Sequence, residues 1–240
     1  MKIVGVDVET TGLDYNKDKM TEISWAVYDT EDFHKPFAAR SFILKCYTEI
    51  PTEIVKLTGI TSEHVKSGDN LDDVLNIFSA DLAKFNIGIV VAHNGAFDMS
   101  FINKAYLDLD LEVPTLELID TKKDIPFPES ITVRSLRHLA VEHGFMNPFP
   151  HSSIFDVFTM MKILSMYDFQ KVLKFKREPT YIVWAKCNYD NKEKARTKGF
   201  RWQGVGELNF DKKWVKALKE SALDEDTKNY DFEWEVIHKC

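Results

Sequence analysis

Apolar runs and alternating segments define the first 170 residues of the chain. Five strands are predicted there, at residues 2–9, 20–30, 40–47, 87–93 and 115–121. Five helices are predicted from apolar residues at helical spacing, at residues 52–58, 71–85, 97–109, 132–145 and 153–173. Three strands followed by alternating helices and strands indicate an α/β fold, with a mixed sheet flanked by helices.

The pattern changes after residue 173. KFKREPT (174–180) is basic and is interrupted by Pro179, which predicts a linker. After it the sequence predicts a strand at 181–189, a charged helix (NKEKARTKG), an aromatic hairpin (GFRWQGVGELNF), a helix (KKWVKALKE) and a last strand (DFEWEVIHK). We therefore expect one domain at 1–173 and a small α+β domain at 181–240.

Composition narrows the class of protein. The chain has 240 residues and 44% hydrophobic residues, which suits a globular protein of one or two domains. No apolar run approaches the ~18–20 residues that cross a bilayer, and the early acids do not fit a signal peptide. We therefore expect a cytoplasmic protein without a membrane partner. The three cysteines are far apart, which favours reduced thiols over disulfides or a zinc site.

Charge is divided unevenly between the two parts of the chain. Residues 1–170 hold 15 Lys and Arg against 26 Asp and Glu, a formal net charge of −11, whereas residues 171–240 hold 16 against 12, or +4. An acidic first domain is not an obvious nucleic-acid binder. Bound divalent cations would remove that objection, because they reverse the local charge.

The octapeptide GVDVETTG (5–12) places two acids on a strand that is predicted to be buried. Residues i and i+2 of a strand share a face, so Asp7 and Glu9 project together. A solvated strand end explains this pair as well as a binding site does. On a buried strand the two carboxylates would repel each other and lose hydration, and a hard divalent cation between them offsets both costs.

Two more segments place acids at the start of helices. VVAHNGAFDMSFI (90–102) is predicted as a strand, an Asn-Gly turn and a helix, with Asp98 in the first helical turn. HSSIFDVFTMMKIL (151–164) places His151 in a Pro-flanked loop and Asp156 in the first turn of a helix. Ordinary helix capping explains each acid better when it is taken alone. The order and spacing of all three segments together indicate one site.

The motifs DVETTG, HNGAFD and H-x-x-x-x-D resemble the three exonuclease motifs of the DEDDh superfamily of 3′→5′ exonucleases. This superfamily has a ribonuclease-H-like fold and includes the proofreading subunit of bacterial DNA polymerase III, oligoribonuclease and ribonuclease T. The segment LTGIT (57–61) is similar to the family's segment between its first two motifs. His151 fits the histidine branch of the superfamily, because Ser152 stands where the tyrosine branch has its tyrosine.

The resemblance implies a role for each motif residue. Asp7, Glu9, Asp98 and Asp156 would bind two divalent cations, Mg²⁺ or Mn²⁺. His151 would act as the general base, since imidazole titrates near neutral pH. The residues that would hold the substrate are Thr10, Thr11, Gly12, Leu13, Asn94 and Phe97. His93 either joins them or only ends its strand.

The function implied is a 3′→5′ exonuclease that releases nucleoside 5′-monophosphates from single-stranded or frayed DNA. A polymerase or another replication or repair protein is a candidate partner. The alternative enzyme is a 3′→5′ exoribonuclease, since the motif residues do not reveal contacts to the 2′-hydroxyl. A non-catalytic binding module of the same fold is the third reading. It is disfavoured, because such modules usually lack one or more of the carboxylates.

The second domain resembles a small domain attached to phage and bacterial DNA-processing proteins. Its basic and aromatic residues suggest contacts to single-stranded nucleic acid through phosphates and stacked bases. The candidate contacts are Lys194, Arg196, Lys198, Arg201, Trp202 and Trp214. The alternative is that the tryptophans form the core of a very small domain and the cations form a solvated face.

Overall fold

The computed structural model of the chain describes residues 1–128, 130–187, 192–204 and 212–239. They fall in two compact units, Met1–Leu173 and Lys174–Cys240. Over the described ranges, we find no helix whose length and apolar character would let it span a membrane. Cys46 and Cys187 are free thiols, and Cys240 lies outside the described residues.

The first unit confirms the α/β fold. Its strands are β1 (Lys2–Thr10), β2 (Met20–Asp29), β3 (Ala38–Ile43), β4 (Ile89–Ala92) and β5 (Glu117–Asp120). Its helices are α1 (Thr52–Thr58), α2 (Ser62–Lys66), α3 (Leu71–Phe85), α4 (Ala96–Asp108), α5 (Leu136–Glu142) and α6 (Ser153–Leu164), and α7 (Phe169–Arg177) begins in this unit and ends in the second.

The five strands form one mixed sheet in the order β3-β2-β1-β4-β5. The pairs β1–β2 and β2–β3 are antiparallel, whereas β1–β4 and β4–β5 are parallel. The carboxyl ends of β1, β4 and β5 therefore meet at one edge of the sheet. The motif segments that follow β1 and β4 are brought together there.

Helices cover both faces of this sheet. Val4, Val6 and Val8 of β1 belong to one core, with Phe78 of α3 and Phe101 of α4. The opposite face has a second core, in which side chains from α5, α6 and α7 pack against β1, β2, β4 and β5.

Gly5 permits the close approach of α6 to β1. A Cβ atom on Gly5 would lie 2.9 Å from Cγ and Sδ of Met161 and 3.2 Å from Cε of Met160. These distances are too short for ordinary van der Waals contact. The missing side chain at this position thus sets how near the two elements lie.

The second unit is a small α+β domain. It contains β6 (Thr180–Ala185), α8 (Lys192–Thr197), β7 (Arg201–Gly204), β8 (Lys212–Lys219), α9 (Glu220–Thr227) and β9 (Trp234–Lys239). The strands form an antiparallel sheet in the order β7-β8-β6-β9. Its core consists of Val183, Ala185, Ala195, Phe200 and Leu218.

The predicted single helix at 153–173 is wrong, because it is two helices. Helix α6 ends at Leu164, and Asp168 directly precedes Phe169, the first residue of α7. Its Oδ1 accepts the N–H groups of Gln170 at 2.9 Å and Lys171 at 3.3 Å, and this carboxylate caps the new helix. Helix α7 runs on to Arg177, so most of the predicted linker at 174–180 is helical.

The predicted helix at KKWVKALKE is also wrong, since residues 212–219 form β8. This segment pairs with β6 on one side and with β7 on the other, and this pairing outweighs its helical propensity. The first strand of the predicted aromatic hairpin is β7. Residues 205–210 of that hairpin lie outside the described residues. Residues 188 and 189 of the strand predicted at 181–189 also lie outside them. The sequence analysis missed α2 and α9.

Candidate active site

The first two acids lie side by side near the end of β1. Asp7 and Glu9 alternate with Val6 and Val8, which are buried in the core on the opposite face. They therefore point toward the face on which α6 approaches Gly5. Glu9 is only 9% exposed. As predicted, the two carboxylates share a face.

Asp98 reaches the same place from the start of α4. It lies in the first turn of this helix and is 3% exposed. Its Oδ1 accepts the backbone N–H of Val8 at 3.1 Å. Because Val8 separates Asp7 from Glu9, this bond holds the third carboxylate beside the first two.

The third segment contributes Asp156 and His151. Asp156 lies in the first turn of α6. Its Oδ2 accepts the backbone N–H of His151 at 3.1 Å and its Oδ1 accepts Nδ2 of Asn147 at 2.6 Å. His151 is exposed, with a left-handed φ of 63°. These bonds hold the loop before α6 against the carboxylate that the helix presents.

One potential ligand atom from each of Glu9, His151 and Asp156 lies within 4.8 Å of the others. The carboxylate oxygens of the four acids form a donor set that suits a hard divalent cation such as Mg²⁺ or Mn²⁺. The residues present therefore fit the cations that the motifs imply.

The acids destabilise each other's charged forms. Burial, with smaller contributions from the charges of Asp156, Glu22 and Asp98, raises the pKa of Glu9 to about 8. Burial raises the pKa of Asp98 to about 7, although the Val8 bond opposes it. The pKa values of Asp7 and Asp156 are raised as well, mainly by burial. A bound divalent cation would offset this repulsion and lower these pKa values.

The site opens into a cleft of about 250 Å³. All five predicted catalytic residues line it. The predicted substrate residues that also line it are Thr10, Gly12, Leu13, His93 and Phe97. Thr11 and Asn94 do not belong to the lining.

Thr11 holds the loop after β1 instead of facing the cleft. It is 6% exposed, and its hydroxyl accepts the N–H of Lys19 at 3.0 Å and donates to Asp18 at 3.2 Å. Gly12 lies against the same Asp18, since a Cβ atom there would be 2.5 Å from Oδ2. Both polar contacts of the Thr11 side chain are thus inside the loop, and a contact between Thr11 and substrate stays a prediction.

Asn94 lies on the turn after β4, outside the cleft. It is exposed, with a φ of 66°, and its N–H donates to Oδ1 of Asp120 at 2.9 Å. His93 faces the cleft, and its Nδ1 lies 2.9 Å from Oγ1 of Thr121. Burial lowers the pKa of His93 to about 4. At neutral pH, its ring is therefore uncharged and available for a hydrogen bond.

The sequence analysis missed an apolar rim on the cleft. Ile54 and Leu57 of α1 line it together with Leu13. Leu13 is 85% exposed and Leu57 is 49% exposed, which is uncommon for large apolar side chains. Leu57 opens LTGIT, a segment that resembles the family, but no substrate contact was predicted for it or for Ile54.

The sequence analysis also missed Glu22. It lies directly opposite Glu9 in the β1–β2 pair and is 6% exposed. Its Oε2 accepts the N–H of Ser153 at 3.1 Å, and its Oε1 accepts the hydroxyl of Ser41 at 2.9 Å. Glu22 thus connects β2 and β3 to the first residue of α6. An acid in the middle of an otherwise buried strand was the available signal.

The candidate contacts of the second unit do not form one surface. Lys194 pairs with Asp231 at 2.9 Å, and Arg196 pairs with Glu193 at 3.2 Å. Trp214 packs against the small core, and the ring of Trp202 lies 5.7 Å from it. Lys198 and Arg201 are exposed. Arg201 precedes Trp202 on β7, so their side chains point to opposite faces.

Comparison with known proteins identifies the family to which this chain belongs. Residues 4–164 match the family model RNase T, described as an exonuclease. A DNA polymerase III PolC-type protein of Listeria welshimeri is 39% identical over 118 residues, which are 48% of this chain and 8% of that protein. The chain therefore spans only a small part of the curated relatives that it matches.

Two solved structures share the fold. The nuclease domain of 3′hExo, a DEDDh family member bound to rAMP, has a TM-score of 0.59 and 17% identity, covering 69% of this chain and 90% of that one. The E. coli ExoI–ssDNA complex has a TM-score of 0.66 and 14% identity, covering 97% of this chain and 68% of that one. At these identities the likeness concerns the fold alone.

The raised pKa values predict how the stability of the metal-free protein depends on pH. The pKa of Glu9 rises from 4.5 to about 8, so the folded protein binds more protons than the unfolded chain in this window. The free energy of unfolding is then expected to fall as pH rises, by up to about 1.4 kcal/mol per pH unit for each such proton. Urea unfolding in EDTA between about pH 5 and about pH 8.5 measures this slope.

Glu9→Gln should make this slope shallower, because the amide does not titrate. The exposed Glu49 provides the control, and Glu49→Gln should leave the slope as in the wild type. A stability of the wild type that rises with pH in EDTA would contradict the burial of uncompensated carboxylates.

Two substitutions of Glu22 separate its hydrogen bonds from its charge. Glu22→Ala and Glu22→Gln both remove the charge, but only glutamine keeps an oxygen that accepts the Ser153 N–H. We expect the alanine variant to be less stable than the glutamine variant by about 1–3 kcal/mol. Urea unfolding of both variants in EDTA measures the difference, and equal stabilities would show that these bonds do not hold α6.

Proposed function

This chain belongs to the RNase T exonuclease family, and we propose that it hydrolyses phosphodiester bonds at the 3′ end of single-stranded DNA, releasing nucleoside 5′-monophosphates. The observation that carries the proposal is the convergence of Asp7, Glu9, Asp98, His151 and Asp156 on one cleft. The family membership supports a metal-dependent 3′→5′ exonuclease of the DEDDh group. The substrate and the product are what we add.

The four carboxylates are the residues that would hold two divalent cations, Mg²⁺ or Mn²⁺. When bound, the cations supply positive charge that stabilises the negative charge developing on the phosphate in an in-line displacement. The protein's part is to keep four acids together that would otherwise repel each other. The bonds from Val8 to Asp98 and from Asn147 and His151 to Asp156 do this.

His151 supplies the base in this proposal. Its imidazole is exposed at the mouth of the cleft and lies near the ligand oxygens of Glu9 and Asp156. A neutral imidazole nitrogen accepts a proton, which suits removal of a proton from the attacking water. The adjacent bond from the His151 backbone to Asp156 keeps this base beside the reacting phosphate.

The rim of the cleft would hold the terminal nucleotide. Leu13, Ile54 and Leu57 offer an apolar surface against which a base can pack. Phe97 and the uncharged His93 lie on the same lining. Apolar contacts do not depend on base identity, so we expect little preference for sequence at the 3′ end.

DNA is preferred as substrate because the curated relatives are DNA polymerase III PolC-type proteins. This relationship also supports a polymerase, or another replication or repair protein, as a partner. RNA is the alternative substrate, and the direct test is the digestion of labelled single-stranded DNA and RNA of one sequence. Faster degradation of the RNA would replace the proposed substrate by the alternative.

Asp7→Ala should lower the rate of Mg²⁺-dependent degradation by about 1,000-fold, since it removes a ligand of the cations that stabilise the transition state. A 5′-labelled oligonucleotide and a time course measure the rate. Circular dichroism checks that the variant is folded. Activity close to that of the wild type in the folded variant would contradict the assignment of the site.

His151→Ala should slow the chemical step by about 10²- to 10⁴-fold and flatten the pH–rate profile near neutrality. Single-turnover digestion across a pH series measures both effects. His34 is also exposed, and His34→Ala is the matched control, which should keep the wild-type profile. A His151→Ala variant with an unaltered profile would exclude this residue as the base.

A further inference from the structure

The sheet of the second unit has two unlike faces. Val183 and Ala185 of β6 are fully buried in the small core, to which α8 contributes Ala195 and α9 contributes Leu223. Among the described residues of this unit, both helices thus pack on one face. Because successive strand residues point to opposite faces, Trp184 points away from the core.

Strand register places a row of side chains across this opposite face. Trp184 is paired with Val215 of β8 and with Glu235 of β9, and Val215 is paired with Arg201 of β7. Residues paired directly across strands share a face. Arg201 and Trp184 therefore lie on the same side of the sheet, and β8 lies between their two strands.

Two lysines flank the indole ring on this face. Lys213 lies two residues from Val215, and its Nζ is 4.2 Å from the ring centroid of Trp184. Lys186 lies two residues from Trp184, and its Nζ is 5.6 Å from the centroid. Lys186 also pairs with Glu235 at 3.0 Å, and its side chain remains 38% exposed. Two lysines thus lie beside the ring, and one of them is paired with an acid.

Among the described residues of the unit, a cluster of acids lies on the other side of the sheet. Helix α9 has the sequence ESALDEDT, with four acids, and packs through Leu223 against the core face. This separation of charge leaves the face of Trp184 basic. Trp184 is partly exposed. A basic surface around an accessible aromatic ring combines the two interactions that bind single-stranded nucleic acids, phosphate contacts and base stacking.

We propose that the face formed by Trp184, Lys186, Arg201 and Lys213 binds single-stranded nucleic acid. A base stacks on Trp184, and the flanking phosphates are bound by Lys186, Lys213 and Arg201. Lys213 covers the indole ring in the free protein, so its ammonium group moves from the ring to a phosphate when a base arrives. This site differs from the one predicted from the sequence, of which only Arg201 lies on this face.

Binding of a 5′-fluorescein-labelled oligothymidylate to the intact chain, measured by anisotropy in EDTA, tests the proposal without hydrolysis. Trp184→Ala should raise the Kd about tenfold, in the range for loss of one stacked base. The double variant Lys186→Gln/Lys213→Gln should lower the slope of log Kd against log salt by about 1.4, which corresponds to two phosphate contacts. Hydrolysis of the p-nitrophenyl ester of thymidine 5′-monophosphate should be unchanged in both variants.

Two matched controls come from the core side of the sheet, one from β7 and one from helix α8. Trp202→Ala removes an exposed tryptophan, and Lys194→Gln/Arg196→Gln removes two cations that are already paired. Both controls should bind as the wild type does. Loss of affinity in these controls with normal binding by the Trp184 and lysine variants would overturn the proposal in favour of the face predicted from the sequence.

The lysine variant decides the matter if Trp184→Ala does not fold, because its two surface substitutions do not touch the core. An unchanged salt slope in this variant would overturn the proposal. An oligouridylate of the same length should lose affinity in the same direction, since stacking and phosphate contacts do not involve the sugar. Because binding is measured in EDTA, these outcomes are independent of whether the chain proves to be an exonuclease.

Discussion

Electrostatic repulsion among buried carboxylates is the constraint on which the first unit depends. Five acids from four elements converge at one edge of the sheet, namely Asp7, Glu9, Glu22, Asp98 and Asp156. Burial raises the pKa of Glu9 to about 8, so assembling the site opposes folding at neutral pH in the absence of a cation. The packed helices on both faces of the sheet supply the stability that offsets this cost. The burial of apolar side chains in the two hydrophobic cores therefore offsets the free-energy cost of assembling the site.

Much of the first unit could be predicted from its sequence, because its elements follow local patterns. Strands such as β1 and β4 are continuous apolar runs, and α3 has clear helical periodicity. That the four carboxylates and His151 converge on one cleft could be predicted, because each lies in a contiguous motif. Glu22 and Leu57 carry weaker signals in the sequence, since their positions at the site arise from pairing and packing between distant segments. Glu22 lies opposite Glu9 in the neighbouring strand and accepts hydrogen bonds from Ser41 and Ser153.

The second unit shows where local patterns fail. The segment 212–219 has the charges of a surface helix, yet it forms a strand because β6 and β7 both pair with it. This one difference also changes which side chains share a surface. Arg201 and Trp202 are neighbours in the sequence, and both were predicted to contact nucleic acid. As successive residues of a strand, they point to opposite faces of the sheet. Trp184 has Lys186 two residues away in the sequence, and strand register adds Lys213 and Arg201 to the same face.

Gly5 has a consequence for how this family of sequences can vary. The gap that it leaves is filled by Met160 and Met161 of α6, the helix that presents Asp156 four to five residues earlier. A larger side chain at position 5 would need a smaller one at 160 or 161 to keep the helix in place. Positions 5, 160 and 161 should therefore change together among related sequences. Such coupled changes would preserve the distance between β1, which carries Asp7 and Glu9, and α6, which carries Asp156.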